Sequence, residues 1–270
     1  MGRPSPHAST PPDATLPGRR RLLRLGSAAL GATTTGGSLL GSGCTSLAPT
    51  GPARGEVVPF STSMHVGGLP EGWRLHVTRP DRPVTGYGLT RIDARVALHA
   101  QSRASTSGVR CDVDIDLRDR HWLRWEWRVD RIPAEATVSD DDLDDCPARL
   151  VLGFGGDTAR LSLRDRLFAD QVELFTGEPL PYATLCYVWD GRAAPETVLP
   201  YARSSRIRYL VVESGPEATG RWQAYRRNLV ADFQRVYGEP PGRLLGVGVL
   251  TDSDDLKGTA EAWYGDLVIE

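Results

Sequence analysis

The fold is indicated most clearly by residues 122–129, which read Trp122-Leu123-Arg124-Trp125-Glu126-Trp127-Arg128-Val129. Every second side chain of this stretch is large and apolar, and the side chains between them are mostly charged. Successive side chains of a β-strand point to opposite faces, so the stretch has one dry face and one mainly polar face. The pattern predicts a strand that packs one side against a core.

The same alternation recurs along the rest of the chain. In Cys111–Leu117, aspartates alternate with aliphatic residues, and turn residues separate further short apolar segments of this kind. Ten strands are predicted, at 56–60, 73–77, 95–100, 108–117, 122–129, 148–154, 183–189, 207–213, 244–250 and 262–269.

Two helices interrupt the strands. Ser162 and Asp165 have the spacing of a capping box, and the apolar positions that follow end at Gly177. A second helical pattern runs from Arg221 to Tyr237 and ends before Gly238. Together these elements predict a mainly-β protein, a jelly-roll-type β-sandwich with two peripheral helices, formed by a single domain over residues 56–270.

The N-terminal region has the layout of an export signal. A basic cluster, Gly18-Arg19-Arg20-Arg21-Leu22-Leu23-Arg24, precedes a weakly apolar stretch that ends before Cys44. The cluster resembles the twin-arginine export motif, with Gly18 where Ser or Thr is usual. The stretch is too rich in glycine and small polar residues for a membrane-spanning helix. Residues 1–43 are therefore predicted to be a twin-arginine-type export signal.

Cys44 follows Leu40-Gly41-Ser42-Gly43, which resembles a lipobox although Gly41 stands where a branched apolar residue is usual. We expect Cys44 to be lipidated, and the alternative is cleavage nearby with Cys44 incidental. Residues 44–55, rich in proline and glycine, are predicted to be a flexible tether. The sequence thus predicts an exported protein of the cell envelope, on the periplasmic or outer-surface side of a membrane, held there by a lipid anchor.

Charge and cysteine content exclude several functions. Residues 44–270 hold 27 basic and 33 acidic side chains, a balance that argues against nucleic-acid partners. Cys111, Cys146 and Cys186 lie too far apart for a zinc signature. The alternatives for these three are one disulfide that includes Cys146, or small buried apolar side chains. No cofactor is predicted.

Several short motifs resemble, in their order, a bacterial exported family known only as a domain of unknown function. They follow the pattern WxW, DDxPAR, YVW, RN and TDxD, and begin at Trp125, Asp144, Tyr187, Arg227 and Thr251. The second motif has Cys146 where the family leads us to expect Phe, and Cys186 stands where Asn is expected before Tyr187. The resemblance implies a β-sandwich similar to carbohydrate-binding jelly rolls and implies no reaction.

Aromatic and charged side chains near strand ends suggest a ligand site. Tyr187 and Trp189 lie two apart on one strand and can share a face about 6.5 Å apart, as sugar-stacking rings do. The alternative is that both rings belong to the core. The predicted ligand-binding residues are Tyr187, Trp189, Asp145, Arg149, Asp252 and Asp254.

Acidic residues offer two further interpretations. Aspartates crowd the loops 140–145 and 252–255, and a structural calcium with Asp252 and Asp254 as weak candidate ligands competes with simple solvated loops. Asp112, Asp114 and Asp116 share one strand face at about 6–7 Å spacing, which lies between the carboxyl separations of retaining and inverting glycosidases. Polar residues are expected on such a face in any case.

These observations favour a non-catalytic binding module of the cell envelope, whose ligand is a glycan or another small polar molecule. The first alternative is a glycoside hydrolase or lyase that uses the strand-borne carboxylates. The second is a scaffold for other envelope proteins. The usual nucleophile, zinc-protease and phosphate-binding motifs are missing from the sequence.

Overall fold

The computed structural model describes residues 56–270, in which two β-sheets pack face to face. The predicted export signal, Cys44 and the tether lie outside the described residues. The strands are β1 Trp73–His76, β2 Gly86–Ile92, β3 Arg95–Arg103, β4 Thr106–Ile115, β5 Trp122–Val129, β6 Arg149–Phe154, β7 Ala183–Asp190, β8 Val198–Tyr201, β9 Ser204–Ser214, β10 Gln223–Asn228, β11 Leu244–Asp252, β12 Thr259–Tyr264 and β13 Val268–Ile269. The helices are α1 Leu163–Thr176 and α2 Leu229–Tyr237.

One sheet has seven strands in the order β1-β4-β11-β6-β7-β9-β8, and the other has the order β10-β5-β12-β3-β2 with β13 beside β5. Neighbouring strands are antiparallel except β7 and β9, which are parallel because the chain passes over to β8 before it returns as β9. The prediction of a mainly-β, jelly-roll-type sandwich with two helices is confirmed.

The core is built from the alternating side chains that the sequence displays. Trp125 of β5 stacks on Tyr187 of β7 with ring centroids 5.1 Å apart, and Trp127 lies 6.4 Å from Trp189. Each pair joins one sheet to the other, so the aromatic residues of β5 and β7 hold the two layers together. Trp122, on the opposite face of β5, lies instead under the guanidinium of Arg226.

Several element predictions were wrong. Residues 56–60 do not form a strand, and β2, β8 and β10 were not predicted. The second helix begins only at Leu229, because Asn228 caps it by accepting a hydrogen bond from the Ala231 amide at 3.0 Å. The preceding residues alternate along β10, and the three-residue spacing of Trp222 and Tyr225 resembles a helix only by coincidence.

The first helix is confirmed together with its ends. Ser162 accepts a hydrogen bond from the Asp165 amide, and Gly177 ends the helix with a φ of 72°. The predicted apolar stripe of this helix, however, is not buried. Leu163, Leu167 and Phe175 are exposed, and only Phe168 of that stripe lies in the interior.

The core role of Trp127 predicts a large loss of stability on truncation. Trp127→Ala should lower the free energy of unfolding by about 3–5 kcal/mol, because a fully buried indole leaves a cavity. Trp122→Ala removes the same side chain from the other face of the strand and should cost about 1 kcal/mol or less. Urea denaturation followed by circular dichroism measures both, and equal losses would contradict the assignment of faces.

Candidate functional site

The outer face of the seven-stranded sheet carries a cavity that its strands and α1 line. Its volume is about 500 Å³, and it lies between the sheet and α1. The side chains of β6 that point away from the core form its floor, beginning with Arg149 and Val151. We call this space the roofed cavity. Its lining includes Arg149, Val151, Gly153, Phe168, Val172, Thr176, Pro181, Thr184, Cys186, Ile207, Tyr209, Gly246, Gly248 and Asp252.

Helix α1 forms the roof, and hydrogen bonds and an ion pair attach it to the sheet near both of its ends. At its N-terminal end, the Asp165 carboxylate accepts hydrogen bonds from the Ser204 hydroxyl and from the Ser205 amide and hydroxyl, at 2.7–2.8 Å. Just past its C-terminal end, Glu178 pairs with Arg110 of β4 at 2.8 Å. A helix of 14 residues is about 21 Å long, which is enough to cross several strands. The roof is therefore fixed to β9 and to β4.

A buried ion cluster closes one part of the cavity. The Nη2 of Arg149 donates to Asp252 Oδ2 at 2.7 Å and to Asp144 Oδ1 at 2.9 Å. Arg149 is only 5% exposed. Its Nε is buried and has no hydrogen-bond partner among the described residues, and Nη1 lies 3.5 Å from the Tyr209 hydroxyl. Buried donors are normally paired, so this Nε–H lacks a hydrogen bond that most buried donors make.

The electrostatics of the ion cluster follow from two carboxylates sharing one guanidinium. Burial, helped by the like charge of the neighbouring carboxylate, outweighs Arg149 and raises the pKa of both Asp144 and Asp252. The other oxygen of Asp252 accepts from the Cys146 amide at 2.6 Å, so Asp252 also holds the chain where β6 begins. Asp252 is thus a hydrogen-bonding and structural group.

A second acidic group lies beside the cluster. One oxygen each of Asp145, Asp254 and Asp255 lies within 4.8 Å of the others. Asp145 accepts hydrogen bonds from the Asp255 and Leu256 amides at 3.0 and 2.9 Å, and Arg82 lies 3.4 Å from Asp254. These contacts tie the two acidic loops together. A structural calcium with Asp252 and Asp254 as weak candidate ligands stays a prediction, and Asp254 belongs to this second group.

Two of the six predicted ligand-binding residues lie in the core, which was the alternative considered for them. Tyr187 and Trp189 are completely buried between the sheets. The Tyr187 hydroxyl donates to Asp232 at 2.7 Å, and the Trp189 indole donates to the Gly215 carbonyl at 2.9 Å. All eight residues of β7 are buried, so a place near the strand end does not expose these rings. The structure does bring Arg149 and Asp252 together, with Asp145 and Asp254 close by.

The cavity also contains residues that the sequence interpretation missed, notably Asp144, Tyr209 and Phe168. Cys186, one of the two departures from the expected family pattern, faces the cavity, and burial raises its thiol pKa to about 12. All three described cysteines are buried free thiols, as the alternative of small apolar side chains predicts. The signal that could have identified the floor is the set of glycines at alternate strand positions, which remove side chains from one face.

The carboxylates proposed for catalysis lie outside the roofed cavity and are paired with arginines. Asp112 contacts Arg110 and Arg74, Asp114 contacts Arg243, and Asp116 contacts Arg118. Hydrogen bonds from Arg118 lower the pKa of Asp116. At Asp112, partial burial is outweighed by Arg110 and Arg74, and its pKa is lowered too. A general acid needs the opposite shift, so this geometry does not support the glycosidase hypothesis.

The ion cluster predicts an unusual pH dependence of stability. The folded protein keeps a proton on Asp252 at pH values where the unfolded chain, with a carboxyl pKa near 4, has lost it. The contribution of this group to the free energy of unfolding therefore falls as pH rises from about 4 to about 8. Asp252→Asn should remove that fall, a change of at most about 1.4 kcal/mol per pH unit.

Urea midpoints of wild type and variant at several pH values measure the effect. Asp165 provides a control of opposite sign, because hydrogen bonds from Ser162, Ser204 and Ser205 outweigh its burial and lower its pKa to about 2. Asp165→Asn should remove stability that is present above pH 4 and lost as pH falls through about 2. Parallel stability curves for wild type and Asp252→Asn would contradict the raised pKa.

Similarity to solved structures is weak. The chain resembles the xyloglucanase domain of NopAA from Sinorhizobium fredii at 7% identity and a TM-score of 0.40, covering 77% of this chain and 98% of that one. It resembles the Trichoderma harzianum endoglucanase 3 at 8% and 0.38, covering 76% and 94%. It resembles the family 11 carbohydrate-binding module of Clostridium thermocellum at 8% and 0.32, covering 79% and 92%. Such low scores say nothing about ligand or activity.

Other comparisons concern the sequence and its segments. No curated protein matches the chain significantly. Within residues 56–270, no helix combines the length and apolar character needed to cross a membrane. A family match covers residues 71–268, which include both sheets, α1 and the ion cluster. The chain therefore belongs to the family described as "Protein of unknown function (DUF3047)".

Proposed function

We propose that this protein binds a neutral glycan, or a related ligand rich in hydroxyl groups, in the roofed cavity. The volume of about 500 Å³ lies within the range of about 300–1,000 Å³ that is typical of ligand sites. The observation that carries the proposal is Arg149, whose buried Nε–H lacks a partner on the cavity wall. A ligand that accepts a hydrogen bond there would complete the guanidinium.

Sugar hydroxyls match the mixture of groups in the ion cluster. Each hydroxyl both donates and accepts, so neighbouring hydroxyls can accept from Arg149 and donate to Asp144 or Asp252. Bonds to charged groups are stronger than bonds between neutral groups. The cavity's only aromatic residues, Phe168, Tyr201 and Tyr209, supply ring surface near the cluster. This combination of ring surface and charged hydrogen-bonding groups suits a sugar.

The charge of the cavity wall favours a neutral ligand. Burial lowers the pKa of His76, which leaves this side chain uncharged near pH 7. The charged residues of the wall are nearly balanced, with acidic Asp144, Glu178, Asp252, Asp254 and Asp255 against basic Arg79, Arg110, Arg149 and Arg203. A strongly acidic or basic ligand would gain little from such a wall.

We also propose that binding occurs without turnover. Both carboxylates of the ion cluster accept hydrogen bonds from Arg149, an arrangement that suits groups that hold a ligand. The carboxylates on the outer face of β4 are paired with arginines, as described above. The proposed role is therefore recognition of the ligand.

Export and anchoring complete the proposal. The twin-arginine-type sequence and Cys44 support a protein carried across a membrane and held at its far side by acyl chains. In this position the cavity would face the cell envelope, where glycans are abundant ligands.

Replacement of the Arg149 guanidinium should weaken glycan binding. In Arg149→Lys the positive charge stays but the Nε–H is removed, and we expect affinity to fall about 10–100-fold because a hydrogen bond to a charged group is lost. Arg206→Lys is the matched control, since Arg206 pairs with Glu239 away from the roofed cavity. A glycan array identifies the ligand, and calorimetry with that ligand gives the affinities.

Thermal unfolding of each variant shows whether Arg149→Lys still folds. If it does not, Val151→Trp provides the test, because it fills the floor and leaves the ion cluster unchanged. Glycan binding that survives Val151→Trp, or the failure of wild type to bind any glycan, would contradict the proposal.

The anchor has its own test. Labelled palmitate should enter the wild-type protein expressed in a bacterium with twin-arginine export, and should not enter Cys44→Ala. Cys186→Ala is the control, because Cys186 is buried in the folded domain. Equal labelling of wild type and Cys44→Ala would contradict lipidation at Cys44.

A further inference from the structure

The floor of the roofed cavity changes character along β6. Arg149, Val151 and Gly153 point into the cavity in turn, so the strand passes from a charged to an uncharged floor within five residues. The strands on either side, β11 and β7, continue the uncharged part, and beyond Gly248 lies Arg110 of β4, which is paired with Glu178. Flanking Val151 are Gly248 and Cys186, and flanking Gly153 are Gly246 and Thr184. Farther across, β9 contributes Tyr209 and Ile207.

The roof above this uncharged floor is mainly apolar. Phe168, Val172 and Thr176 follow each other at four-residue spacing, so they lie on the face of α1 that lines the cavity. Leu180 and Pro181 extend the same lining beyond the helix. No charged side chain belongs to either group.

Gly246 leaves open space in a floor that contains three glycines. Gly153, Gly246 and Gly248 stand side by side in the middle of the sheet, where glycine normally weakens a strand. At Gly246 an added Cβ would come no closer than 3.6 Å to another heavy atom, Arg110 Nη2, so a side chain would fit there. Packing of the protein alone therefore does not require glycine at this position. The glycine instead leaves room in the cavity that a ligand can fill.

A sugar without a hydrocarbon chain does not suit the uncharged part of the roofed cavity. Its hydroxyls would be removed from water and would meet few hydrogen-bonding partners, which is unfavourable. A hydrocarbon chain has no such groups, and each methylene moved from water into an apolar site raises affinity about fourfold. The charged and the uncharged parts of the cavity thus favour different halves of one molecule.

We infer that the ligand is an amphiphile, with a sugar or similar polyol head at Arg149 and a hydrocarbon chain between α1 and the glycine-rich floor. This inference rests on the proposed function and narrows its ligand class to glycolipids and lipid-linked sugars. The exposed apolar side chains of α1 are consistent with a ligand that carries a hydrocarbon chain. Leu163 and Leu167 are exposed and border a depression that shares Phe168 and Arg203 with the roofed cavity.

Alkyl glucosides of increasing chain length test the inference. Methyl, butyl and hexyl β-D-glucoside are titrated into the purified full chain below their micelle concentrations, with calorimetric detection. Affinity should rise about fourfold per methylene, and therefore by more than ~100-fold from methyl to hexyl glucoside. Arg149→Lys should weaken binding of all three glucosides by a similar factor, because they share one head.

Two variants of α1 separate the cavity from general detergent binding. Val172→Ser places a polar group in the roof and should weaken hexyl glucoside binding about tenfold while methyl glucoside is unaffected. Leu174→Ser lies on the same helix but is 81% exposed, and it should change neither affinity. Circular dichroism confirms that both variants keep their fold.

Three results would overturn the inference or its basis. Equal affinities for the three glucosides, all weakened in Arg149→Lys, would remove the hydrocarbon site and leave the proposed glycan binding intact. Chain-length dependence that is unchanged in Val172→Ser would show that the alkyl chains bind elsewhere. Failure of every glucoside to bind, together with a glycan array without signal, would overturn the proposed function itself.

Discussion

The hydrogen bond from Arg149 to Asp252 is the contact on which the site depends. It joins the first residue of β6 to the last residue of β11, and Asp144 adds the preceding loop to the same guanidinium. Removing one partner of a buried hydrogen bond usually costs about 1–3 kcal/mol, and more when the remaining group is charged, because that group is left unsatisfied. The cluster therefore both holds the mouth of the roofed cavity in shape and places a free donor on its wall.

The two outer faces of the sandwich differ in how much open space and unpaired polar surface they present to a ligand. On the six-stranded sheet, three tryptophans are already covered. Arg226 lies over Trp122 at 3.8 Å, Arg95 over Trp222 at 4.7 Å, and His99 stacks on Trp263 with centroids 4.8 Å apart. On the seven-stranded sheet, helix α1 is fixed to β9 and β4 near its two ends, and a space remains between the helix and the floor. The open volume and the unpartnered donor thus coincide on the same face, and we place binding there.

Much of the fold could be predicted from the sequence, because alternation in a segment such as residues 122–129 is decided by strand geometry. The beginning and end of α1 could also be predicted, since the Ser162 cap and Gly177 act locally. The helix predicted from Arg221 failed because pairing of β10 with β5 overrides a short apolar period. Local patterns do not contain that long-range contact.

The site was predictable only in part for a related reason. Alternation shows that Tyr187 and Trp189 share a face, but it does not show which face of β7 meets the other sheet. Arg149 and Asp252 were expected in one patch together with Asp145 and Asp254, and the structure joins Arg149 directly to Asp252. The position of α1 over the floor could not be predicted from the sequence. The spacing of its leucines is that of a buried apolar face, whereas these leucines are exposed.

A crystal structure of the full chain with hexyl β-D-glucoside tests the central claim most directly. The account predicts the glucose ring within hydrogen-bonding distance of Arg149 and the alkyl chain between Val172 and the floor of β6. Glucoside bound on the outer face of the six-stranded sheet, over Trp122, Trp222 or Trp263, with the roofed cavity lacking it, would contradict the account.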